Sequence, residues 1–148
     1  MDRTTALIAS LIVGLLVAAQ PPANAELGKH VGDLGAAFVS LVISLVIVGV
    51  LLLAVGDVGR LASGLGHIRP EHALGGLAGA AVVLVSLVAV RSLGAGGVTA
   101  ALVATQLIGS VVLDRLGVLG LEGSPITLPR VAGVALLIGG TVLVTSSG

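Results

Sequence analysis

The chain has 148 residues, of which 56% are hydrophobic and 9% charged, with a mean hydropathy of +1.22 and zero formal net charge. A water-facing globule carries about 25% charged residues to cover its surface, so lipid is the expected solvent. Seven basic against seven acidic residues leave no polybasic patch for nucleic acid; absent cysteine excludes disulfides and thiolate metal sites; one aromatic, Phe38, excludes base-stacking platforms and aromatic cages.

In chain order, Thr4 to Ala19 is the first apolar run, ended by Gln20-Pro21-Pro22. Leu34 to Val55 is the longest, and Ala73 to Val90, Val98 to Leu113 and Val131 to Thr145 follow. A run of 16 residues, such as Thr4 to Ala19, covers about 24 Å against a hydrocarbon core of roughly 30 Å. Flanking residues are therefore drawn in, giving spans at about 4–22, 34–55, 73–90, 95–113 and 129–145. The expected fold is an all-α integral membrane protein, a five-helix bundle forming one membrane domain over 1–148. Pro21, Pro22, Pro70, Pro125 and Pro129 are read as lying outside the runs, and Gly94, Gly96 and Gly97 as a tight reversal. No internal repeat stands out.

Arg3, Arg60, Arg69, Arg115 and Arg130 fall on the side of the N-terminus, Lys29 and Arg91 on the other. That imbalance places the N-terminus in the cytoplasm. Arg3, an apolar run and Ala23-Asn24-Ala25 also match a secretory signal with an A-x-A cleavage site. Cleavage there would leave four spans; retention of the first span is the preferred reading.

No span holds an ionisable residue at its middle, which argues against a proton pump built on a buried carboxylate. Gln106, near the midpoint of 98–113, is the main polar candidate. Its amide either bonds neighbouring helices or faces a solute cavity. Gln20 and Asn24 share a face if the first helix continues past Ala19; Asp114 sits at a span end, beside Arg115. Ala101, Thr105 and Gly109 form a ladder of small residues, and Gly75 and Gly79 repeat the spacing, as do Ser10/Gly14 and Ala135/Gly139. Such ridges let helix backbones approach closely, within a chain or between subunits. His67 and His72 lie five apart in a loop with no third ligand nearby, so no metal or other cofactor is expected.

The run from Gln20 through Asn24 and Gly28 to Gly32 resembles the segment after the first helix of the YdcZ-like inner-membrane exporters, within the drug/metabolite transporter superfamily. The stretch from Gln106 through Asp114, Arg115 and Gly117 to Gly120 is similar to that family's fourth helix and its exit, and Leu93-Gly94 and Pro129-Arg130 fit as well. Pro21-Pro22 and Ser92 depart from the pattern. The resemblance implies half of a transporter, working as an antiparallel homodimer or with a paired homologous subunit in the inner membrane. It carries interest to Gln20, Asn24, Gln106 and Asp114 as substrate-path positions, and it favours retention of the first span. The expected activity is export of a small solute, without enzymatic chemistry. Two alternatives stay open: a non-transporting accessory or scaffold subunit, and a proton-coupled cation exporter of the small multidrug resistance type. The latter relies on a carboxylate in its first helix, and residues 4–19 have none.

Overall fold

The computed structural model describes residues 2–117 and 123–146, and nearly all of them are helical. Helix α1 (Arg3–Val31) is followed by α2 (Asp33–Val55), the short α3 (Val58–Gly64), two 3₁₀ turns (Leu65–His67 and Pro70–Ala73), α4 (Leu74–Leu116) and α5 (Leu128–Ser146). Asp2 caps α1: its carboxylate accepts the Thr5 amide at 2.8 Å and the Thr5 hydroxyl at 2.9 Å. Asp57 caps α3 in the same way through the Arg60 amide. Pro70 begins the second 3₁₀ turn and Pro129 lies in the first turn of α5, where a backbone N–H has no helical acceptor.

Four helices are long and apolar enough to cross a membrane. The five expected spans map onto them because the third and fourth run together in α4. Its 43 residues would reach about 65 Å as one rod, twice a bilayer core. Gly94 breaks it, at φ 67° and ψ 168°, into segments 74–93 and 95–116, each long enough for one crossing. Two expectations need correction. Gly96 and Gly97 are helical, so the break is a single residue. Pro21 and Pro22 lie inside α1, not beyond it. They leave the carbonyls four residues back without helical donors, yet leaving the helix in a bilayer would strip bonds from still more backbone groups.

The chain divides into two compact units: Ala19–Val88, and Met1–Ala18 together with Ala89–Gly148. In the first, α1 buries Pro21, Asn24, Ala25 and Gly28, a single helix face. Ala36 and Ala37 are the buried residues of α2, and Val83, Ser86 and Leu87 are buried from α4. Ala37, Val83 and Leu87 pack together, with Leu84 against them. In the second unit, α5 runs antiparallel to segment 95–116. Thr141 donates to the Ala100 carbonyl at 3.1 Å, a Cβ on Gly96 would lie 3.7 Å from Val144, and Arg130 pairs with Asp114 at the opposite end.

Size is sorted in the reverse of a water-soluble core. Buried positions hold mainly small residues, while Leu15, Leu34, Leu45, Leu53, Val55 and Leu136 are each more than 70% exposed. In lipid, large side chains gain nothing by turning inward, and close backbone packing governs instead.

The structure also reveals a repeat. Gly32, the sole residue between α1 and α2, has φ 76° and ψ 161°, nearly the conformation of Gly94. This region is essentially restricted to glycine. At each break a second glycine follows three positions on. A Cβ on Gly35 would lie 3.2 Å from Val31, and one on Gly97 would lie 3.1 Å from Leu93, so both clear the side chain just before the break. Carrying the offset back, Pro21, Asn24 and Ala25 match Val83, Ser86 and Leu87, and all six are buried. Lys29 matches Arg91. The chain uses one helix–glycine–helix device twice.

Candidate functional site

Gln106 occupies the middle of segment 95–116, about ten residues from either end. Its side chain is exposed and makes no hydrogen bond with any described residue. Its neighbours on the ladder, Thr105 and Gly109, are exposed too, and Ala101 is half-buried. The Thr105 hydroxyl is spent on the Ala101 carbonyl at 2.7 Å.

Gln20 and Asn24 stand on one face because α1 continues through the prolines. Gln20 is half-buried and makes no hydrogen bond with any described residue. Asn24 is 7% exposed, and its Nδ2 is enclosed with no acceptor. An enclosed amide N–H without a partner costs about 1–3 kcal/mol, so Asn24 is a standing hydrogen-bond donor in an apolar interior. Ser86, its counterpart in the repeat, is also buried, but it donates to the Val83 carbonyl at 3.3 Å. Sequence reasoning passed over Ser86, which becomes visible only through the repeat.

Asp114 pairs with Arg130 at 3.5 Å, and the two side chains are 35% and 40% exposed. Nη1 of Arg130 is enclosed and lacks hydrogen-bond alignment, so the contact is one of charge. The Asp114 carbonyl accepts the Ser124 amide at 2.8 Å, drawing the chain back to the end of α4. Residues 118–120, which close the Gln106–Gly120 run, lie outside the described residues. Gln20 and Asn24 thus belong to one unit, Gln106 and Asp114 to the other.

The expected packing glycines make no close approach to any described residue: a Cβ at Gly75, Gly79 or Gly109 would meet none within 4 Å. Close approach is made by Gly96 and Gly97 against Val144 and Thr145 of α5. An open cleft of about 510 Å³ lies on the same helix pair, bordered by Ala18, Gly96, Thr99, Ala100, Gly140 and Thr141 among others. The sequence signal for it was slight, a glycine pair at 139–140 opposite small residues at 95–97. In the loop after α2, Arg69 pairs with Glu71 at 3.7 Å and its amide donates to His72 Nδ1 at 3.1 Å, giving that histidine a structural role. Among the described residues no group of three or more His, Cys, Asp or Glu side chains could hold a metal ion.

These features are those of a membrane-embedded protein: several long apolar helices with a few polar amides along them, and charge confined to the helix ends. No curated protein and no solved structure matches the chain. A family model does match, the one described as "Putative inner membrane exporter, YdcZ", over residues 5–143. It describes transporters and not enzymes, and it covers all but the first residues of α1 and the last residues of α5. The chain therefore belongs to the YdcZ family of inner-membrane exporters, as a multi-pass protein of that membrane.

Proposed function

We propose that the chain is one half of a secondary exporter of a small solute and works as a pair, with an inverted second copy or a homologous subunit. The bare amide of Gln106 carries the reading. At the middle of a span it has no hydrogen-bond partner among the described residues, and an amide moved into hydrocarbon without a bond is heavily penalised. A second chain, or a solute path formed with it, supplies the missing partner. Gly75, Gly79 and Gly109 support this, since no described residue would lie within 4 Å of a Cβ at any of them. Two inverted halves also provide the symmetry on which alternating access relies.

In this arrangement the N-terminus is cytoplasmic, by the arginine distribution. Within one unit Gln20 and Asn24 offer hydrogen-bonding amides on a single face of α1; within the other, Gln106 offers its amide at mid-span and the Asp114–Arg130 pair marks the charged end of that helix pair. The absence of cysteine permits a clean test. A single cysteine at Gly109 or Gly79 should cross-link two copies in native membranes, and purified protein in vesicles should move at least one member of a broad solute panel under an ion gradient. Absence of flux under every gradient would remove the exporter reading; absence of cross-links at both positions would remove the pairing.

A further inference from the structure

The cleft on segment 95–103 and α5 has no assigned role. It extends about 12 Å along the helices, and none of its lining side chains is ionisable. Two hydroxyl residues face it, and they differ. Thr141 donates to the carbonyls of Ala100 and Leu137, at 3.1 and 2.8 Å. Thr105 and Thr145 likewise donate to the carbonyl four residues earlier. Thr99 makes no hydrogen bond with any described residue. Its counterpart in the repeat, Ala37, is 2% exposed and packed against Val83 and Leu87. The position filled in one copy of the device is open in the other, and it carries a free hydroxyl.

We propose that this cleft binds the exported solute, and that the solute is uncharged, largely apolar and equipped with one hydrogen-bonding group that meets Thr99 Oγ1. The inference rests on the exporter reading above. The volume falls within the roughly 300–1,000 Å³ of small-molecule sites. An acyl chain would fill the apolar part but leave the Thr99 hydroxyl bare. A charged solute would find no counter-charge.

The test uses the full chain in lipid nanodiscs with N-phenyl-1-naphthylamine, an uncharged apolar probe bearing one N–H. The comparison probe is 8-anilino-1-naphthalenesulfonate, the same skeleton with a fixed negative charge. The neutral probe should bind saturably and the sulfonate at least tenfold more weakly. A Cβ at Gly140 meets nothing within 4 Å, so Gly140→Leu starts from open space on the cleft wall and suits a helix better than glycine. It should weaken probe binding at least tenfold without lowering thermal stability, and Thr99→Val should weaken it by roughly threefold to tenfold.

Unchanged probe binding in Gly140→Leu overturns the proposal, and so does equal binding of the sulfonate. It also falls if Gly140→Leu displaces a tightly held phospholipid while the probe never saturates, or if that variant separates paired chains. Vesicle flux separates the two readings. Flux and probe binding that both survive Gly140→Leu remove the cleft and keep the exporter. Cleft-dependent binding with no flux of any solute keeps the cleft and removes the exporter.

Discussion

Replacing Gln106 with leucine tests how the middle of this protein is solvated. The amide is exposed at the centre of a span and makes no hydrogen bond with any described residue. Were it to face lipid, the wild-type protein would bear a desolvation cost of about 1–3 kcal/mol, and Gln106→Leu would raise stability by a similar amount. If it bonds across a subunit interface, the substitution removes an interaction worth about 0.6–1.7 kcal/mol. That corresponds to an approximately 3- to 18-fold weaker pair, since about 1.4 kcal/mol is a factor of ten. If it lines a solute path, pairing is unchanged and flux falls. Pairing is measured by dilution in detergent micelles with labelled chains, stability by denaturant titration in the same micelles, and flux in vesicles. Gln106→Asn, which keeps the amide on a shorter stem, should retain part of either effect. A leucine variant that is more stable, pairs normally and transports normally would refute the argument, for the amide would then face only lipid.

Four further outcomes follow from the geometry. Gly32→Ala and Gly94→Ala place a Cβ where φ is 76° and 67°, and each should lower stability by about 1–3 kcal/mol in denaturant titration; a neutral result at both sites would dismiss the repeated glycine break. Because Nδ2 of Asn24 has no acceptor, Asn24→Leu, of similar size, should not reduce stability; a loss above about 2 kcal/mol would reveal a hidden partner. Asp114→Asn should change stability by less than about 1 kcal/mol, since the pair with Arg130 is partly exposed, and exchanging the two residues should recover what is lost at low salt. The Asp2 carboxyl is held below its usual value of 3.8, first by the Thr5 amide and then by the Thr5 hydroxyl. Its cap on α1 is therefore complete above that value and is lost as pH falls through the lower folded-state value. The Thr5 amide resonance should report that titration, and a midpoint at or above the ordinary aspartate range would contradict it.

Much of the architecture was legible because hydropathy dominates every other signal in this chain. Five apolar runs separated by charge correspond to four long apolar helices, the third and fourth runs lying in α4, and the Leu93-Gly94 signal fell on the observed break in it. Proline was the misleading residue: its usual role as a helix terminator assumes water ready to receive the freed carbonyls, and α1 keeps Pro21 and Pro22 inside. Gly96 and Gly97 misled for a related reason, since a glycine cluster signals a turn equally well as a place where another helix comes near. The repeat escaped notice because its two copies share almost no side-chain identity. They share only glycine spacing and burial, and burial is not written in a single sequence.

Sequence alone determined the all-α membrane class, the long apolar segments and the polar residues within them, because each follows from the transfer energy of residues taken one at a time. Tertiary structure decided the register of α5 against segment 95–116, the enclosure of Asn24, and the cleft in which Thr99 stays unpaired. Those depend on which small residues face each other across two helices. Gly96 and Gly140 are alike as letters, and only packing sets one against Val144 and leaves the other beside open space.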